Sequence, residues 1–181
     1  MSPNESAASQ ITSRRLGMST ARFAGLVVFV GTVAALASLL TVGLSLKLWT
    51  MFIGWTCFST GGGNARRGSM AITCLILGVL LGMGSIVIMG AISPLFGQWS
   101  LPLVIFVLAV IAMLSLLTPP IDSIPGYFLG MTAFYASGLQ PGWDALMTIV
   151  SAALIGGVAS GVVVVAPQLF DRLRSGSSGA T

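Results

Sequence analysis

Charge is scarce in this sequence. Eight Lys and Arg and four Asp and Glu side chains make up 7% of the 181 residues, against roughly 25% in a soluble domain. A chain so poor in charge cannot cover a water-facing surface. Histidine is absent, and cysteine occurs twice, at Cys57 and Cys74, both within apolar stretches and not as a CxxC pair. A zinc site needs about four such ligands, so no metal and no cofactor are expected. The two thiols read as small buried residues. There are no paired carboxylates and no nucleophile beside a base, so the chain is not expected to be an enzyme. The net charge of +4 does not point to nucleic acid. The basic residues sit in short pairs beside apolar runs, where membrane orientation is set.

What is present is apolar surface. Hydrophobic residues make up 55% of the chain and the mean hydropathy is +1.00. The length fits one domain, a transmembrane domain over 23–170. Residues 1–22, rich in Ser, Ala and Asn, read as a disordered cytoplasmic tail, and 171–181 as a flexible one. Ser13-Arg14-Arg15 has the look of a twin-arginine export signal. However, the apolar run after Arg22 is longer than the roughly 7–15 residues of a cleavable core, so it reads as a first membrane helix.

Six apolar segments stand out, at 23–46, 48–60, 69–92, 101–118, 124–137 and 143–167. The breaks carry turn or charge signals: Lys47, the run from Gly61 to Arg67, Ser93-Pro94 with Gly97-Gln98, Pro119-Pro120-Ile121-Asp122, and Gln140-Pro141-Gly142. Lipid cannot satisfy a loose backbone, so spanning segments of this kind are helices. The second and fifth are short, roughly 20 Å against a hydrocarbon core of roughly 30 Å. They are either short or broken crossings or re-entrant hairpins. Six crossings with both termini inside leave Lys47 as the sole basic residue outside, whereas re-entrant segments would move Arg66 and Arg67 outside as well. The positive-inside rule favours six crossings.

The two short segments match. Phe52-Ile53-Gly54-Trp55-Thr56-Cys57-Phe58 aligns with Phe128-Leu129-Gly130-Met131-Thr132-Ala133-Phe134 at an offset of 76 residues. Gly62 and Gly138 fall together at the same offset, and the helix after each carries a GxxxG, Gly78 with Gly82 and Gly157 with Gly161. The expected fold is therefore all-α, about six transmembrane helices in two three-helix repeats, 23–93 and 101–170. An odd number of crossings per repeat inverts the second half. Short or Gly-interrupted segments at matching places in such halves point to a substrate site.

The motif Phe52-Ile53-Gly54-Trp55-Thr56-Cys57-Phe58, the glycines Gly61, Gly62 and Gly63, the step Arg67-Gly68 and the run Pro125-Gly126-Tyr127-Phe128-Leu129-Gly130 resemble the bacterial membrane proteins grouped as domain-of-unknown-function family 1097. The resemblance covers roughly residues 23–170. It implies a multi-span bacterial inner (plasma) membrane protein. It brings no assigned substrate and no functional residues to carry over.

On a helix, Phe52, Thr56 and Ser59 share one face, and Phe128, Thr132 and Tyr135 repeat that spacing. Rings with a hydroxyl or two suit a small neutral solute, and Gly54 and Gly130 would let another backbone approach. With Phe58 and Phe134, these residues make up the expected substrate pathway. The competing readings are ordinary ones. A membrane-helix Thr often bonds its own i−4 carbonyl, and Phe at these spacings is common in lipid or core contact. Gly78, Gly82, Gly157 and Gly161 are expected to permit close helix packing, within a protomer or in a homo-oligomer. Gly61, Gly62 and Gly63 precede Asn64-Ala65, not the Lys-Ser/Thr of a P-loop, and read as a flexible turn. Asp122 and Asp144 lie at helix starts, where carboxylates cap. No ionisable residue falls near mid-span, which argues against a proton-driven pump. Sodium coupling through backbone carbonyls stays open. The expectation is a channel or facilitator-type transporter for a small neutral or weakly polar solute. An accessory or assembly subunit without a pathway is the alternative.

Overall fold

A computed structural model describes the backbone of residues 20–177 and the side chains of 23–166. Arg14 and Arg15, and the side chains of Arg22, Asp171, Arg172 and Arg174, lie outside the described residues. So do the expected tails, apart from the helix ends at 20–22 and 171–177. Helices are the regular elements of the described backbone, α1 Thr20–Gly43, α2 Leu48–Ser59, α3 Ala65–Phe96, α4 Ser100–Leu114, α5 Ile124–Ser137 and α6 Trp143–Ser177. Single 3₁₀ turns follow α3, at Gly97–Trp99, and α4, at Ser115–Leu117. The described residues up to Leu36 belong to one compact unit and those from Ala37 on to another.

Three stretches are long and apolar enough to cross a bilayer: Phe23–Gly43, Ala65–Leu117 and Trp143–Ala166. The second holds both α3 and α4, joined through the turn at Gly97, whose φ is +51°. Large apolar side chains are exposed along α4, among them Ile105, Phe106 and Met113, and along α1, among them Val28 and Leu39. Among the described residues no charged side chain is buried. Apolar outside and uncharged inside describe a helical integral membrane protein in contact with lipid.

The helix ends follow from local chemistry. Helix α1 stops at Gly43, short of the expected Leu46. Ser45 turns left-handed at φ +57°, the Leu46 N–H reaches back to the Thr41 carbonyl at 3.0 Å, and the Ser45 N–H to Val42 at 2.9 Å. This is a Schellman closure, which satisfies carbonyls that a helix end leaves free. Helix α2 gives way to Gly61, Gly62 and Gly63, of which Gly62 and Gly63 have positive φ. Asn64 then caps α3, accepting from the Arg66 N–H at 3.0 Å and more weakly from Arg67 at 3.4 Å. That cap starts α3 four residues before the expected position. At its other end α3 runs through Pro94, expected to break it, and closes when the Gly97 N–H donates to Ser93. Proline so near a C-terminus costs one ladder bond rather than several. Helix α5 spans the residues expected of it and ends on left-handed Gly138. Helix α6 continues past Pro167.

Asp122 corrects one expectation. The N-cap of α5 is Ser123, and no side-chain cap bond forms there. The Asp122 carboxylate is exposed and does not act as a cap. Asp144 lies in the first turn of α6, where a negative charge meets the positive end of the helix dipole.

The core has two clusters. The larger joins Cys57 of α2, Ala71, Ile72, Leu75 and Val79 of α3, Ala133 and Phe134 of α5, and Ala145, Ile149 and Ala153 of α6. The smaller joins Cys74 of α3, Val104, Leu108 and Ala112 of α4, and Tyr127 and Met131 of α5. Both cysteines are buried free thiols.

Candidate functional site

Each short helix packs chiefly against one long helix, α2 on α6 and α5 on α3. The sequence provides for this with small residues, and the packing is backbone to backbone. A Cβ added at Gly54 would overlap the Ala153 carbonyl of α6, and one at Gly156 would overlap the Met51 carbonyl of α2. A Cβ at Gly130 would overlap the Leu75 carbonyl of α3, and one at Gly78 the Tyr127 carbonyl of α5. The two packings use matched positions. Met51 and Gly54 precede Tyr127 and Gly130 by 76 residues, and Leu75 and Gly78 precede Ala153 and Gly156 by 78. Glycine is what lets axes come this close.

The aromatic residues after these glycines continue the pattern. The Phe134 ring lies 3.0 Å from where a Cβ on Gly82 would stand, and the Phe58 ring 3.2 Å from that of Gly161. Gly157 faces Ile72 at 3.0 Å. All four GxxxG glycines therefore meet side chains or backbone of their own chain. Gly156, which makes the closest approach on α6, is not picked out by the GxxxG spacing.

One residue further on, each short helix is tied to a long one by a hydroxyl pair. Ser59 on α2 and Ser160 on α6 are 3.0 Å apart. Tyr135 on α5, matched to Ser59, bonds Ser85 on α3. Directions follow from hydrogen counting. The Ser59 hydroxyl donates to the Trp55 carbonyl at 3.0 Å, so Ser160 donates to Ser59. Ser85 donates to the Gly82 carbonyl at 2.6 Å, so Tyr135 donates to Ser85. Ser85 and Ser160 are fully buried, and each pair satisfies hydroxyls that would be costly to leave bare in an apolar setting.

The remaining expected pathway residues point elsewhere. Phe52, Thr56, Phe128 and Thr132 are exposed on the outer faces of α2 and α5. Thr32, Thr41 and Thr73 bond their own i−4 carbonyls, but neither Thr56 nor Thr132 does so. Gly54, Gly130 and Phe134 are buried in packing, and Phe58 partly so. The matched aromatic–hydroxyl faces thus do not meet inside the chain.

Where the end of α2 comes near the start of α5 there is a polar cleft of about 360 Å³. Thr60 and Gly61 end α2 on one side, Arg67, Met70 and Ala71 come from the first turns of α3, and Pro120, Asp122, Ser123 and Pro125 come from the link into α5. Arg67 and Asp122 are both exposed and form no ion pair among the described residues. The floor is closed, because the Ala71 carbonyl accepts from the Cys57 thiol at 3.1 Å, and Leu75 and Ala133 beneath it have no exposed surface. Sequence reasoning missed this cleft. Its residues lie as far apart as Thr60 and Pro125, and only the fold brings them together. Chemically it offers guanidinium donors, carboxylate acceptors and the Thr60 and Ser123 hydroxyls. No cluster of metal-ligating residues occurs among the described residues.

No curated protein and no solved structure matches the chain. One family does match, over residues 27–166, which takes in α2 to α5 whole and most of α1 and the described part of α6. The chain belongs to that family, described as protein of unknown function DUF1097.

Proposed function

We propose that this protein is a facilitator-type transporter or channel for a small neutral or weakly polar solute, built as two inverted three-helix halves and not an enzyme. The observation that carries the reading is the reciprocal packing of the short helices. Met51 and Gly54 on Ala153 and Gly156, and Tyr127 and Gly130 on Leu75 and Gly78, are the same contact made twice, with each half lending its short helix to the other half's long one. Such an exchange is what a pseudo-two-fold axis between inverted halves produces, and solute sites in inverted repeats lie at the repeat interface.

The absence of buried charge among the described residues supports a neutral solute, because a charged one would need a partner along its way. The polar cleft supports one mouth of a path at the end of the short helices. With six crossings in a bacterial inner membrane, Arg66 and Arg67 put that mouth on the cytoplasmic side together with both termini. Beneath it the chain is closed by the packed layer around Cys57, Ala71 and Leu75.

A second reading, an accessory or assembly subunit with no pathway, is favoured by one observation. The buried side chains shared by α2 and α5 are apolar and close-packed, and Phe52, Thr56, Phe128 and Thr132 are exposed. A swelling assay on proteoliposomes separates the two. Faster equilibration of small neutral solutes than in protein-free vesicles supports transport. Correctly folded protein that adds no flux for any solute in the series leaves the subunit reading.

A further inference from the structure

The Asp122 carboxylate makes no hydrogen bond or ion pair among the described residues. It sits immediately before a helix, yet it caps nothing. Arg67 is in the same position, since its backbone N–H takes the Asn64 cap while its guanidinium pairs with no carboxylate among the described residues. The two side chains line one cleft and leave it with no net charge. An Arg and an Asp that line one concavity without pairing put a planar fork of donors and an acceptor-only group in the same cleft.

Two kinds of solute match such a pair. A zwitterion would set its carboxylate on Arg67 and its ammonium on Asp122. A primary amide would set its carbonyl oxygen on Arg67 and an N–H on Asp122. The rest of the chain decides between them. Past the cleft, every buried side chain among the described residues is apolar or a hydroxyl. A zwitterion leaving the cleft would carry two full charges into that interior unpaired, at a heavy cost, whereas an amide would carry none.

We propose that the cleft between Arg67 and Asp122 is the solute-recognition site and that it selects small primary amides. The proposal rests on the transport reading for its choice of an amide over a zwitterion, since that choice takes the solute to leave through the interior; the binding itself does not require conduction. The cleft volume of about 360 Å³ accommodates a solute of a few heavy atoms with some water, at roughly 30 Å³ per water.

The test is a binding titration on the full chain in lipid nanodiscs, read by ligand-observed NMR, with acetamide, N,N-dimethylacetamide and glycine as probes. Acetamide is expected to bind, and Arg67→Ala and Asp122→Ala each to weaken it about tenfold, the loss of one hydrogen bond to a charged group. N,N-dimethylacetamide keeps the carbonyl but has no N–H, so it should bind more weakly and be indifferent to Asp122→Ala. A merely structural role for Asp122 would not produce that difference, and both positions are exposed, so thermal stability should be unchanged. The proposal is overturned if acetamide does not bind, if neither variant weakens it, or if glycine binds more tightly. Vesicle flux of acetamide keeps the two readings apart. Binding without flux removes the transport reading and leaves the site. Flux untouched by both variants removes the site and leaves transport.

Discussion

Replacing Gly54 by Ala adds one methyl group to a helix, a change that ordinarily stabilises. In a helix interior Ala is favoured over Gly by roughly 0.5–1 kcal/mol. At Gly54 the new Cβ would fall on the Ala153 carbonyl. That obstacle is backbone, so no rotamer change relieves it and α2 must move away from α6. Overpacking of this kind costs about 1–3 kcal/mol, which outweighs the propensity gain. The expected net result is a loss of about 1–2 kcal/mol, repeated for Gly130→Ala, Gly78→Ala and Gly156→Ala. Gly31 and Gly84 are the controls, because a Cβ at either meets nothing within 4 Å. There the propensity gain stands alone and Ala should be neutral or stabilising. Reversible unfolding of the purified protein in mixed detergent micelles measures the series. A double-mutant cycle sharpens it. Gly54→Ala with Gly156→Ala strains one interface and should be non-additive by at least about 0.5 kcal/mol. Gly54→Ala with Gly130→Ala strains two and should sum. The reasoning is refuted if Gly54→Ala proves as stable as Gly84→Ala.

Three further outcomes follow from individual contacts. Ser45 is a left-handed non-glycine residue, so Ser45→Gly should raise stability by a few tenths of a kcal/mol up to about 1 in the same unfolding assay. Tyr135→Phe should destabilise by about 0.5–1.5 kcal/mol by removing the donor to Ser85, and should have no such effect in a Ser85→Ala background. Cys57 and Cys74 are both fully buried, so a water-soluble maleimide should leave them unmodified in the folded protein and label both after denaturation.

The helices were largely legible in the sequence because apolar runs and glycine or proline breaks are local signals. The fifth segment, 124–137, matches α5, and the second overruns α2 by one residue. Errors arose where one conformation or one bond moved a boundary. Nothing local announces that Ser45 will turn left-handed, nor that Asn64 will cap a helix that starts four residues before the expected apolar segment. Pro94 reads as a breaker from its type alone, and only its place in the last turn makes it tolerable. The matched motif contains Gly54 and Gly130, at which the short helices meet the long ones backbone to backbone. Spacing shows that Phe52, Thr56 and Ser59 share a face but not which way the face turns. The Ser59–Ser160 and Tyr135–Ser85 pairs join residues far apart in the chain, as does the Arg67–Asp122 cleft, so no window of sequence contains them. Gly156 went unnoticed because the GxxxG spacing selects its neighbour.

The inverted arrangement of the two halves is the claim on which the functional reading depends, and the sidedness of the loops tests it most directly. Cys57→Ala and Cys74→Ala remove the native thiols, and Ala133 at the position matched to Cys57 indicates that the first change is tolerated. Single cysteines at Lys47, Asn64, Gln98, Asp122 and Gln140 are then labelled in intact cells and in inverted vesicles. The account predicts that positions 64 and 122 react from the cytoplasmic side and positions 47, 98 and 140 from the opposite side. Labelling of 47 and 64 from the same side would make α2 re-entrant and contradict it.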